Sequence, residues 1–86
     1  MYKLILSRRT EKFLANLQKV DQRLFNQFIR ALDEILNNPY CAKALVGNLK
    51  GYYSYPVRKY RILFEIEKKN LFIYVEKIEH RKGVYR

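Results

Sequence analysis

The side chains able to do chemistry lie mostly in the second half of the chain. His80 is the only histidine, and an imidazole exchanges protons near neutral pH. One histidine cannot build a metal site, and no Cys/His cluster accompanies it. It stands in the basic run His80-Arg81-Lys82, and a solvated surface cluster is the bland use of the same residues. Arg58, Lys59 and Arg61 interleave with Tyr52, Tyr53, Tyr55 and Tyr60. A guanidinium grips two phosphate oxygens at once and keeps its charge. Tyrosine rings stack on bases, so the pattern resembles a platform for single-stranded RNA. Tyrosines at strand spacing also make core and cross-strand pairs, and that use is expected of at least two of the four. Cys41 has no histidine near it in sequence and reads as a small buried or half-buried residue.

Charge and composition narrow the setting. Eighteen Lys and Arg against eight acids give a net charge of +10 over 86 residues. Residues 1–42 carry seven basic and four acidic residues; residues 43–86 carry eleven and four. Such an excess attracts polyanions or an acidic protein partner, and the second half should supply most of the grip. The length suits one domain, residues 1–86. A single cysteine rules out an internal disulfide and fits a reducing compartment. Met1-Tyr2-Lys3-Leu4 does not resemble a signal peptide, and no apolar run approaches the roughly 20 residues that span a bilayer. A soluble cytoplasmic protein is expected.

The elements that must position these groups follow from periodicity. Tyr2-Lys3-Leu4-Ile5-Leu6 predicts a first strand and Ser7 a helix N-cap. Phe13, Leu14 and Leu17 share one helical face, with Lys12, Asn16 and Lys19 turned away, in a helix ending near Lys19. Asp21 caps a second helix with an apolar stripe of Leu24, Phe25, Phe28, Ile29, Leu32, Ile35 and Leu36. Asn37-Asn38-Pro39 stops it. After a loop at Gly47–Gly51 come three strand-like segments, Tyr52–Val57, Tyr60–Glu67 and Leu71–Ile78. Tyr60, Ile62, Phe64 and Ile66 alternate with Arg61, Leu63, Glu65 and Glu67, giving two faces of different chemistry. Lys68-Lys69-Asn70 predicts a hairpin turn, with Asn70 suited to positive φ. The expected fold is α+β, in the order β-α-α-β-β-β. An N-terminal helical hairpin packs on one face of a mainly antiparallel four-stranded sheet.

Three stretches in this order resemble the RelE/ParE superfamily of toxin–antitoxin toxins, RelE-like members more than ParE-like ones. They are Leu49-Lys50-Gly51-Tyr52-Tyr53, Val57-Arg58-Lys59-Tyr60-Arg61-Ile62-Leu63-Phe64-Glu65, and Ile78-Glu79-His80-Arg81-Lys82-Gly83-Val84-Tyr85. The second is similar to the family's strand of Tyr-Arg, then apolar, then aromatic. The third is similar to its closing His-Arg and Val-Tyr. The resemblance covers Leu4 to Tyr85 and implies the same fold. It also implies a choice of activities. RelE-like members cut mRNA in the ribosomal A site without a metal or other cofactor, by attack of a ribose 2′-hydroxyl on the adjacent phosphate. ParE-like members inhibit DNA gyrase and cut nothing. Both kinds are silenced by a co-expressed antitoxin in a heteromeric complex.

The resemblance also implies roles. Arg61 matches the arginine on the scissile phosphate, and Arg81 the second arginine of the C-terminal segment. Tyr85 matches the tyrosine that assists catalysis and stacks on a base, and His80 stands where several members keep a general acid or base. Such a reaction needs a base, an acid and cations for the phosphorane's added charge. Each residue also has a plainer use: Arg61 as a strand arginine paired with Glu65 or Glu76, and Tyr85 as an anchor for the chain end. Ser54 and Pro56 depart from the family, whose nucleases usually carry cations at those positions of the preceding strand. Lys50, Arg58, Lys59 and Lys82 are the candidates to supply RNA-binding charge instead. Three functions follow: a ribosome-dependent endoribonuclease, a gyrase-directed toxin favoured by Ser54 and Pro56, or a decayed member that only binds its antitoxin. In each case the antitoxin segment should be acidic and amphipathic, since it must cover a basic surface with apolar grooves.

Overall fold

The computed structural model describes residues 1–81. The apolar run Lys3–Leu6 forms strand β1, and Ser7 ends it by capping helix α1 (Arg8–Val20). The Ser7 hydroxyl accepts from the Thr10 N–H at 3.2 Å, satisfying a donor that the first helical turn leaves open. Asp21 does the same for helix α2 (Gln22–Asn37), accepting from the Leu24 N–H at 3.1 Å. Asn38 and Pro39 close α2, and a single turn of 3-10 helix over Pro39–Cys41 leads away from it. Cys41 is exposed there, not buried or half-buried as its residue type suggested.

Three long strands follow: β3 (Tyr52–Val57), β4 (Tyr60–Glu67) and β5 (Phe72–His80). A two-residue strand, β2 (Lys43–Ala44), precedes them and pairs with Ser54 and Tyr53 of β3. The sheet therefore has five strands rather than the four expected, in the order β1-β5-β4-β3-β2. Two residues are too few to display a period of two, so β2 left no trace in the pattern. β1 runs parallel to β5, and the other pairs are antiparallel. Both helices lie on one face, where Leu14, Leu17, Phe28, Leu32 and Ile35 meet Ile62, Phe64, Ile73 and Val75.

The β4–β5 ladder contains a bulge. Phe64 pairs with Val75 and Leu63 with Lys77, so Glu76 has no partner on β4. Its carbonyl is taken up at the start of α1 instead, where the Ser7 hydroxyl donates to it at 2.6 Å and Arg9 Nε at 3.3 Å. Thr10, fully buried, sits against the Ser7 hydroxyl at 2.8 Å. The cap of α1 and the bulge of β5 are thus one hydrogen-bonded unit.

The β4–β5 connection differs in detail from expectation. Leu71, not Asn70, takes the positive φ of 60°, and β5 starts one residue later. The Glu67 carboxylate accepts from the Lys69 and Asn70 N–H groups at 3.0 and 2.7 Å. That closure leaves Leu71 to make the reversal into β5.

Candidate functional site

The sheet face turned away from the helices carries the candidate chemistry. Strand alternation puts Ile62 and Phe64 in the core, so Arg61, Leu63 and Glu65 point to the other side. Before the bulge, Ile73 and Val75 are the core residues of β5; after it, Ile78 is. The extra residue switches the phase, and Lys77 and Glu79 come onto the same face as Arg61.

Arg61 lies directly across from Glu79. Its Nε and Nη2 reach the same Glu79 oxygen at 2.6 and 2.5 Å, while Lys77 Nζ reaches the other oxygen at 2.9 Å. The expected structural partners of Arg61 were Glu65 or Glu76. The register gives it Glu79, and Glu76 is instead bound by Arg9 at 2.6 Å. The Arg61 side chain is only 12% exposed, so this charge is held in place rather than waving in solvent. Partial burial pushes the Glu79 carboxyl up, but hydrogen bonds from Lys77 and Arg61 and their charges outweigh that and hold it below the usual carboxylate range. Glu79 is therefore an ionised acceptor, and two cations around one carboxylate leave the cluster net positive.

The same end of the sheet collects the other basic candidates. Val57 and Tyr60 pair across a two-residue turn, Arg58-Lys59, and Arg58 takes a positive φ of 55° in it. The Arg81 N–H donates to the Lys59 carbonyl at 2.7 Å, and its guanidinium approaches the Arg58 carbonyl at 3.5 Å. Arg58, Lys59, Arg61 and Arg81 are thereby brought to one end of β4. Lys50 is not among them, because it precedes β3 and the turn follows it. Six strand residues separate the two places, about 17 Å. Lys82 and Tyr85 lie outside the described residues.

His80 occupies the other side of the sheet. It pairs across from Tyr60, and the two rings meet edge to face with centroids 5.2 Å apart. Tyr60 in turn packs edge-on against Phe13 and Phe28 of the helices. The structure thus separates His80 from the Arg61–Glu79 pair by the thickness of a strand. Of the four interleaved tyrosines, Tyr53, Tyr55 and Tyr60 pack against the core. The Tyr55 hydroxyl donates to Glu34 of α2, which together with burial pushes its phenol up to about 12. Tyr52 alone of the four shares the outer face, with Glu65 across from it and Tyr74 next in the row. The Glu65 charge pushes the Tyr52 phenol up.

Ser54 is buried on β3, with Leu63, also buried, across from it. Pro56 lies beyond the two β3 residues that β2 covers, so among the described residues β3 has no partner on that side there and the lost N–H costs no ladder bond to β2. Neither position supplies a cation. Lys77 and Glu79 are the site residues that alternation alone misplaces. Among the described residues no three His, Cys, Asp or Glu side chains come together as a metal site, and no helix is long and apolar enough to cross a membrane.

Residues 4–85 match the family model of the ParE toxin of the type II toxin–antitoxin system parDE. The chain belongs to the ParE toxin family. It is a type II toxin–antitoxin toxin of the wider RelE/ParE superfamily, as the three sequence stretches implied. No curated protein matches it in sequence. Solved structures share its fold at low identity. The YoeB/ParE toxin from Agrobacterium tumefaciens superposes with a TM-score of 0.81 at 16% identity, over 91% of this chain and 96% of that one. The toxin–antitoxin complex RelBE2 from Mycobacterium tuberculosis gives 0.78 at 21%, over 93% and 98%. The heterotetrameric YoeB–YefM toxin–antitoxin complex from Staphylococcus aureus gives 0.78 at 17%, over 93% and 97%.

Proposed function

We propose that this toxin is a ribosome-dependent, metal-independent mRNA endoribonuclease acting in the cytoplasm to inhibit translation. The observation that carries the reading is the held Arg61, with Lys77 and Glu79 around it and Arg81 tied to the adjacent turn. A phosphorane carries more negative charge than the phosphate it comes from, so preorganised cations bind it better than the ground state. Arg61 and Arg81 hold the phosphate, and His80 or Tyr85 exchanges the protons. Arg58 and Lys59 bind the flanking RNA strand, and Lys82, next to Arg81 in sequence, adds to that charge. A cognate antitoxin with an acidic, amphipathic segment holds the toxin silent in a heteromeric complex, the kind of assembly in which the Staphylococcus aureus YoeB–YefM and Mycobacterium tuberculosis RelBE2 structures were solved.

Mapping the 5′ ends of cellular mRNA minutes after induction tests this. Cuts inside translated codons are expected, absent with Arg61→Ala or Arg81→Ala and blocked when initiation is prevented. Because His80 lies on the helix side of the sheet, His80→Gln should lower cutting less than Tyr85→Phe does. Full toxicity in the arginine variants would reject the assigned roles.

A second reading has its own observation. Ser54 and Pro56 leave β3 without cations and Ser54 is buried, which favours a gyrase-directed ParE-like toxin that cuts nothing. Growth arrest with DNA damage and intact mRNA is its signature. No arrest at all would leave a decayed member that only binds an antitoxin.

A further inference from the structure

Beyond the Arg61 cluster, the outer face of the sheet carries a second row of side chains. In register across the strands stand Tyr52 of β3, Glu65 of β4, Tyr74 of β5 and Ile5 of β1. Glu65 and Tyr74 are exposed and Tyr52 is half-buried. On the helix side, Tyr53 and Tyr60 turn their rings onto Tyr40, Phe64, Phe13 and Phe28. Among the described residues neither Tyr52 nor Tyr74 packs on another ring. Glu65 is out of character in a chain of net charge +10. Among the described residues no cation lies within ion-pair distance of it, whereas Glu76 and Glu79 are both paired. An unneutralised carboxylate weakens the grip of a basic face on phosphates, so its use there is to meet donors. The Tyr52 hydroxyl hydrogen-bonds to it, and a carboxylate has about four lone-pair sites, so others stay open.

We propose that Tyr52, Glu65 and Tyr74 form a clamp for one guanine base of single-stranded RNA. The base lies between the two rings, and its N1–H and N2–H groups donate to the Glu65 carboxylate. Two strand spacings separate Tyr52 from Tyr74, about 9.6 Å. A flat ring midway lies about 4.8 Å from each, inside the range of roughly 4.5–7 Å found for stacked ring centroids. A carboxylate only accepts, and its two oxygens match two adjacent donors. Guanine alone offers such a pair on its Watson–Crick edge. Cytosine and adenine offer one amino group beside an acceptor, and uracil a single N–H between two carbonyls. The clamp rests on the reading that RNA meets this face. Along β4, Glu65 is four residues from Arg61, about 13 Å. Lys77, across from Leu63, stands between them. That span is about four nucleotides at the stacked rise of roughly 3.4 Å, and fewer in an extended strand. The clamp thus sets a base preference at a fixed distance from the phosphate that Arg61 holds.

The test titrates the full chain with fluorescein-labelled uridine decamers, read by anisotropy, that carry guanosine, inosine or uridine at one central position. Guanosine should bind about tenfold tighter than uridine, the discrimination of a good two-bond contact. Inosine keeps N1–H and lacks the N2 amine, so it should fall between them, about threefold tighter than uridine. In Glu65→Gln the guanosine preference should drop below twofold, because a carboxamide offers one acceptor oxygen in place of two. Tyr74→Leu should weaken every decamer about fivefold, since stacking tolerates any base. Arg58→Ala/Lys59→Ala, which removes cations away from the clamp, should weaken all three decamers equally and keep the preference. Circular dichroism melts confirm that each variant is folded. Equal binding of guanosine and uridine decamers by the wild type, or a preference that survives Glu65→Gln, would overturn the clamp. Binding of no decamer would show that RNA does not meet this face, and would overturn it too. Codon cuts in cells beside equal decamer binding would sink the clamp and leave the nuclease reading. Uncut mRNA beside a Glu65-dependent preference would sink the nuclease reading and leave the clamp.

Discussion

At the scale of single residues, Glu79 decides how Arg61 is used. Two donors of Arg61 and one of Lys77 converge on its carboxylate, so the guanidinium is already fixed in one geometry, as the phosphate-holding role proposed for it requires. Preorganisation of this kind spares the reorganisation that a loose side chain would need. It has a signature in stability. The folded Glu79 carboxyl titrates below its unfolded value, so its contribution is present above the unfolded pKa and is lost as pH falls through the folded one. Glu79→Gln should therefore destabilise the fold by about 1–2 kcal/mol at pH 7, the worth of a charge-assisted hydrogen bond. The gap between wild type and variant should close on acidification below the ordinary carboxylate range. Urea midpoints at neutral and acid pH measure it. A gap that stays constant with pH would mean that the loss is one of packing and that the ion pair contributes nothing.

At the scale of elements, the β5 bulge is what assembles the site. A strictly alternating β5 that buries Ile73 and Val75 would also bury Lys77 and Glu79 and turn Ile78 outward. The bulge at Glu76 reverses that phase. Both helices, their caps at Ser7 and Asp21, the order of the long strands and the outward face of Arg61 were legible in the sequence, because periods of 3.6 and 2 and capping residues report on local structure. The partner of Arg61 was not. It depends on a one-residue offset fixed by contacts between Glu76 and Ser7, 69 positions apart. Nor was the separation of His80 from Arg61 legible, since closeness in the sequence motif says nothing about which side of a sheet each residue takes. The turn before β5 was placed correctly but its strained residue was not. Leu71 sits at φ 60°, where a branched side chain is disfavoured and glycine is most at ease. Leu71→Gly should raise stability by about 0.5–1 kcal/mol, read as a higher urea midpoint at an unchanged slope. A lower midpoint would show that the partly exposed Leu71 side chain contributes more by packing than its backbone costs.

At the scale of the whole molecule, a charge of +10 draws any polyanion toward the surface, and what distinguishes a site is where that charge is gathered. Some cations are spread over α1, such as Lys12 and Lys19, while Arg58, Lys59, Arg61 and Arg81 are brought to one end of the sheet by the β3–β4 turn and the Arg81 backbone bond to it. Every cation attracts at long range, but only those in contact with phosphates release counterions on binding. For single strands each such contact adds about 0.7 to the magnitude of the slope of log affinity against log salt. Arg58→Ala/Lys59→Ala should therefore flatten the slope for an oligoribonucleotide by about 1.4, whereas Lys12→Ala/Lys19→Ala should lower affinity slightly and leave the slope unchanged. Equal flattening by both pairs would mean that RNA meets this protein as a uniformly charged body, and the sheet end would lose its claim to be the place where a phosphate is held for cleavage.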